Sequence, residues 1–141
     1  MRRASLRATC LLATLLFLPA LVACEFKSVT VQIADFETNS VEGVRFWRLD
    51  EALGDFQPGG SVRFSDPYPA GGGLEMIDYT IVQANGEEVL TLPAEVIRDP
   101  ADPDLVTLVI SYGRFEEAGW FRVSSFNAVG DSELSSEQVY L

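Results

Sequence analysis

The chain contains no histidine. That absence removes the commonest general base and the commonest transition-metal ligand together, and no Ser–His–Asp arrangement can be drawn. Cysteine is nearly as scarce, with Cys10 and Cys24 alone. Basic residues are few: 10 Lys and Arg stand against 21 Asp and Glu, a net charge of -11. So acidic a chain lacks the positive footprint that nucleic acid requires, and its surface is repelled by anionic lipid. No apolar run is long enough to stay in a bilayer as a helix. The longest, residues 11–22, would reach about 18 Å against a hydrocarbon core of about 30 Å. Beyond residue 25 no stretch keeps a 3.6-residue period, which argues against a helical domain.

What is present begins with a leader. Arg2, Arg3 and Arg7 precede the apolar run at 11–22, which only Thr14 and Pro19 interrupt. Positive charge followed by a short apolar stretch is the pattern of a secretory signal. The run ends in Leu21-Val22-Ala23-Cys24, which resembles the lipobox of bacterial lipoproteins. The resemblance implies that the Cys24 thiol is alkylated with a diacylglyceryl group. The leader is then cut before Cys24, and the new N-terminus is acylated in turn, with palmitate-type chains. The resemblance thus makes Cys24 the expected lipid-attachment residue and the membrane its expected first partner. At about 0.8 kcal/mol per buried methylene, several acyl chains make a stable anchor. Glu25, rather than Asp, follows the cysteine. By the same resemblance this favours the outer membrane in a Gram-negative cell; in a Gram-positive one the site is the outer face of the cytoplasmic membrane.

The expected organisation is a signal peptide at 1–23, a lipidated tether at 24–26 and one domain at 27–141. Without the leader, 7 basic residues face 21 acidic ones, a net charge of -14. With Cys24 the one thiol left, no internal disulfide can form. The domain must rest on its core, and at 48% hydrophobic and 11% aromatic residues overall the composition suits a folded chain.

The domain reads as short alternating runs separated by turn residues. Strands are expected over residues 28–33, 43–49, 61–64, 75–83, 88–92, 105–112, 120–126 and 138–141. Between them stand Pro58-Gly59-Gly60, residues 67–73, Asn85-Gly86, residues 99–104 and residues 127–131. Such spacing predicts an all-β fold, an antiparallel β-sandwich. Ile77, Tyr79 and Ile81 should share a buried face. Asn85-Gly86 should close a two-residue hairpin of type I′. Residues 105–112 are apolar on both faces, as a central strand would be.

The run Phe121-Arg122-Val123-Ser124-Ser125-Phe126-Asn127-Ala128-Val129-Gly130-Asp131-Ser132 resembles the closing hairpin of a fibronectin type III domain. Ile77–Ile81 is similar to that family's third strand. The sequence departs from the pattern at Gly119, where the family has a tyrosine, and in lacking a proline-rich start. A generic immunoglobulin-like sandwich is the other reading.

Chemistry has few places to reside. Asp99, Asp102 and Asp104 could offer oxygens to Ca²⁺, but two prolines and the lack of a glycine and a distal glutamate fit a rigid acidic connection better. Trp47, Trp120, Tyr68 and Tyr79 could form a sugar-stacking platform or belong to the core. No catalytic residue, cofactor site or obligatory metal is indicated. The expected function is a non-catalytic binding or structural module in the cell envelope, engaging protein or glycan through the loops at one end of the sandwich. The alternative is a carboxylate-dependent enzyme acting on a glycan. Cys24→Ser should abolish incorporation of a fatty-acid analogue and block cleavage of the leader; unchanged labelling of that variant refutes the assignment.

Overall fold

The computed structural model describes residues 9–10, 26–113 and 118–141; Cys24 lies outside them. The strands are β1 (Thr9–Cys10), β2 (Phe26–Ile33), β3 (Gly43–Asp50), β4 (Asp55–Phe64), β5 (Tyr68–Pro69), β6 (Glu75–Val82), β7 (Glu88–Glu95), β8 (Ile97–Arg98), β9 (Val106–Gly113), β10 (Trp120–Phe126) and β11 (Val139–Tyr140). They form an antiparallel β-sandwich, and no helix occurs among the described residues. One sheet has the order β1-β2-β9-β8; the other runs β11-β10-β3-β4-β6-β5, with β7 on the far edge of β6.

Alternation decides which side chains meet between the sheets. Val29, Val31 and Ile33 of β2 and Val106, Leu108 and Ile110 of β9 face Val44, Phe46, Val62, Ile77, Tyr79, Ile81, Phe121 and Val123. Phe46 and Tyr112 stack across the layers with centroids 3.8 Å apart. Phe121 meets Tyr112 edge-on at 6.4 Å. On β10, Phe121 and Val123 face inward and are buried, with the charged Arg122 between them on the other face. The first partner of β10 is β3, in continuous register from Phe121↔Arg48 to Phe126↔Gly43. Gly43 is required there, because a Cβ would collide with the Val62 carbonyl and the Phe126 ring.

Several expectations are corrected. Pro58-Gly59-Gly60 does not separate strands but lies inside β4, opposite a bulge between Arg45 and Trp47. β6 pairs only with residues 61–64 of β4, so Pro58 lies on an unpaired edge, where the missing N–H costs no ladder bond. The Asn85-Gly86 hairpin does join β6 to β7, but as a three-residue loop. Gly86 N–H bonds to the Gln83 carbonyl and Gln83 N–H to the Glu87 carbonyl. Gly86 alone takes positive φ, at 86°, as in a type I turn closed by a bulge glycine. β9 starts at Val106 and is buried on one face only: Val109 is 51% exposed, because among the described residues nothing packs outside the first sheet. β6 runs beside β4 and β7, whereas β3 is the strand beside β10. The short β5 and β8 carry no signal strong enough to have been expected.

The register makes a direct prediction. Val123→Asp buries an unpaired carboxylate and should cost several kcal/mol, comparable to the whole stability of a small domain. Phe126→Ser, at the half-buried loop end of β10, should cost on the order of 1 kcal/mol. Thermal melts of the two variants check the order.

Candidate functional site

β2 runs upward into residues 34–42, and β3 returns from them. β9 rises out of no loop at that end but descends from residues 99–105, and β10 delivers residues 127–138 to the same end. Residues 65–74 join them, because β4 leaves there and β6 enters. Four connections therefore converge on one end of the sandwich.

Residues 35–40 form a single helix-like turn, with Asn39 N–H bonded to the Asp35 carbonyl at 2.8 Å and Val41 N–H to the Phe36 carbonyl at 3.0 Å. Asp35 and Ser40 hold positive φ, 54° and 47°, a conformation that Asp tolerates better than most residues. Asp104 caps this turn from across the loop end. Its carboxylate accepts the Glu37 N–H at 2.5 Å and the Thr38 hydroxyl at 2.5 Å. These bonds, the Thr38 hydroxyl first, hold the Asp104 carboxyl below its usual range. Arg98 ties three segments together. Its Nη2 donates to Glu37 at 2.8 Å, its Nε to Glu75 at 2.8 Å, and its Nη1 to the Pro103 carbonyl at 3.0 Å. The bond to Glu37 above all pushes its pKa further up, so it stays charged.

The connection after β10 is held by side chains acting as a strand. Ser132 and Ser135 donate their N–H groups to the carbonyls of Ser125 and Val123, each at 2.7 Å. Their hydroxyls accept the return bonds from Ser125 N–H and Val123 N–H, both at 3.0 Å. The Asn127 side chain caps the turn, accepting the Val129 N–H at 2.8 Å, and donates from Nδ2 to the Asn39 carbonyl at 2.7 Å. Val129 is thereby presented at the tip, 95% exposed. Nearby, Arg45 pairs with Asp131 at 2.9 Å and lies 5.2 Å over the Phe126 ring. A cleft of about 390 Å³, lined by Ile33, Asp35, Asn39, Asp102, Ser125 and Ser132, opens beside this turn. Another of about 310 Å³ is lined by Asn39, Val41, Phe126 and Val129.

The residues singled out in the sequence are dispersed. Cys24 lies outside the described residues. Asp99 accepts the Ala101 N–H at 2.8 Å and Asp104 caps the turn at 35–40, so the two carboxylates serve different segments. No group of three or more carboxylate or thiol ligands suited to a metal occurs among the described residues. The aromatic platform is split. Tyr79 is in the core, its hydroxyl accepting the Ser111 N–H at 2.8 Å, and Tyr68 donates to Asp78 at 2.8 Å. Only Trp47, which donates to the Ser124 hydroxyl at 2.8 Å, and Trp120 share a face, the outer one of β3 and β10. Val129, a lone valine in a polar turn, carries no sequence signal. No protein-family model matches the chain, and no curated protein or solved structure matches it.

A depressed carboxyl pKa gives stability that is present above the ordinary value of 3.8 and lost as pH falls through the folded value. Asp104→Asn should therefore melt below the wild type at neutral pH, and the gap should close under acid. Melting curves over a series descending from pH 7 check it; a gap that does not narrow as the pH falls below 3.8 refutes the role given to the charge.

Proposed function

We propose that this protein is a lipid-anchored envelope lipoprotein, and that its sandwich is a non-catalytic recognition module engaging a partner protein through the loop end. The observation that carries the reading is Val129, an apolar knob on a turn pinned by Asn127, Ser132 and Ser135, with Asp131 lining the same cleft and Asp35 and Asp102 lining the neighbouring one. An apolar centre within a charged rim is the ordinary anatomy of a protein contact, and a turn already rigid loses little entropy on binding. The acidic rim favours a partner carrying basic residues, which it would attract at long range. Polarity of the strands agrees: β2 begins near Cys24 at the opposite end, so the loop end points away from the anchor.

The fibronectin type III-like reading draws support from the strand pairing. In immunoglobulin-like sandwiches the second and fifth strands share one sheet, while the third, sixth and seventh share the other. Here β2 pairs β9, and β3, β10 and β11 are neighbours in the other sheet. The β6–β7 hairpin is then an addition to the edge of that sheet. On this reading Gln32–Ala34 and Ser125–Ser132 bound the recognition end.

A photo-cross-linking residue in place of Val129, in the full-length chain in its own cells, should give a discrete protein adduct. Asp131→Arg should weaken that adduct. The same residue in place of Val109, on the open face of the first sheet, should give none. Equal adducts at both positions place the contact elsewhere.

A further inference from the structure

The end of the sandwich opposite the loops carries its own surface. β2 starts there at Phe26, and β3 runs antiparallel to it in the fold, so the turn at residues 51–54 lies at the same end. The register Phe121↔Arg48 brings the start of β10 alongside, and Trp120↔Tyr140 adds β11. Three large apolar side chains are exposed at this end: Leu53 at 69%, Trp120 at 39% and Tyr140 at 55%. Trp120 and Tyr140 meet edge-on with centroids 5.5 Å apart. Leu53 sits on a tight turn that Asp50 caps, its carboxylate accepting the Ala52 N–H at 2.9 Å and the Leu53 N–H at 3.1 Å. Gly54 closes the turn at φ 69°. The capping carboxylate is thus turned inward to the backbone, and the leucine outward.

If Cys24 is the lipidated residue, as proposed above, only Glu25 separates it from β2. Two residues of extended chain reach about 7 Å, which is no more than the depth of the headgroup layer, roughly 5–8 Å on each side of the hydrocarbon core. This end of the domain therefore cannot leave the membrane surface. Tryptophan and tyrosine are the side chains that settle at such an interface, with an apolar body and a polar tip. We infer that Leu53, Trp120 and Tyr140 enter the headgroup layer of the membrane that holds Cys24, so that the domain stands on the bilayer with its loop end outward. The occupant is a zwitterionic phospholipid surface, because Glu51 and Glu87 at the same end would be repelled by an anionic one.

The test uses the full chain, processed in cells, purified with its lipid and reconstituted in phosphatidylcholine vesicles with plain or brominated acyl chains. Brominated lipid should quench the tryptophan emission of the wild type. Trp120→Phe should lose that quenching, since Trp47 is half-buried on the sheet face, and Leu53→Asp should weaken it. Equal emission in both vesicles, from protein shown by fatty-acid labelling to carry lipid, overturns the docking and leaves the anchor standing. Absence of the label removes the anchor, and the docking with it. Emission that responds to soluble dextran but not to brominated lipid assigns the face to sugar and overturns the inference.

Discussion

Peptide groups on a strand edge must find partners, and in this protein full-length neighbouring strands do not supply them all. β11 covers only Trp120 and Phe121, and β8 only Val106 and Thr107. Hydroxyl oxygens complete the work. Ser132 and Ser135 dress the rest of the β10 edge, Ser65 accepts the Asp78 N–H at 3.0 Å beyond the end of β4, and the buried Tyr79 hydroxyl reaches across to β9. An unsatisfied buried donor costs about 1–3 kcal/mol, so each of these oxygens substitutes for a strand that is not there. With no disulfide among the described residues, the two layers are held by packing, and of these bonds the one from Ser111 to Tyr79 crosses between them.

The same substitution organises the loop end. Asp104 does for the turn at 35–40 what an N-cap residue does for a helix, although it lies 66 residues away from Thr38 in sequence. Arg98 and Asn127 then tie that turn to its neighbours. The end of the domain that carries the exposed Val129 is accordingly cross-braced between its loops, whereas loops commonly move more than the elements they join.

Much of this was legible in the sequence, for a definable reason. Alternation reports which side of a strand is buried, so Ile77-Asp78-Tyr79-Thr80-Ile81 and Phe121-Arg122-Val123 declare their faces locally. A chain that alternates over many short runs separated by turns declares a sandwich. The misreadings share one cause: they depend on neighbours that the local sequence does not name. Pro58 reads as a strand breaker until the edge beside it proves empty. Asn85-Gly86 reads as a type I′ turn until the Gln83 and Glu87 pairing adds a third loop residue. Alternation puts Tyr79 on the buried face, but the partner of its hydroxyl, the Ser111 N–H 32 residues on, is not named by the local sequence. The site was harder still, because Val129, Asp104 and Arg98 acquire their roles from contacts between distant loops.

The serine-dressed edge of β10 has a further effect on how copies of the protein tolerate one another. Molecules at high local concentration meet often, and an open strand edge is a template on which chains can stack into fibrils. Along β10 the outward N–H groups of Val123 and Ser125 are already engaged by the hydroxyls of Ser135 and Ser132, and their carbonyls by the backbone N–H groups of the same two residues. A foreign strand would have to displace both hydroxyls and the backbone behind them before gaining its first bond. Crowding can therefore raise local density at this edge without offering a nucleus for ordered self-assembly.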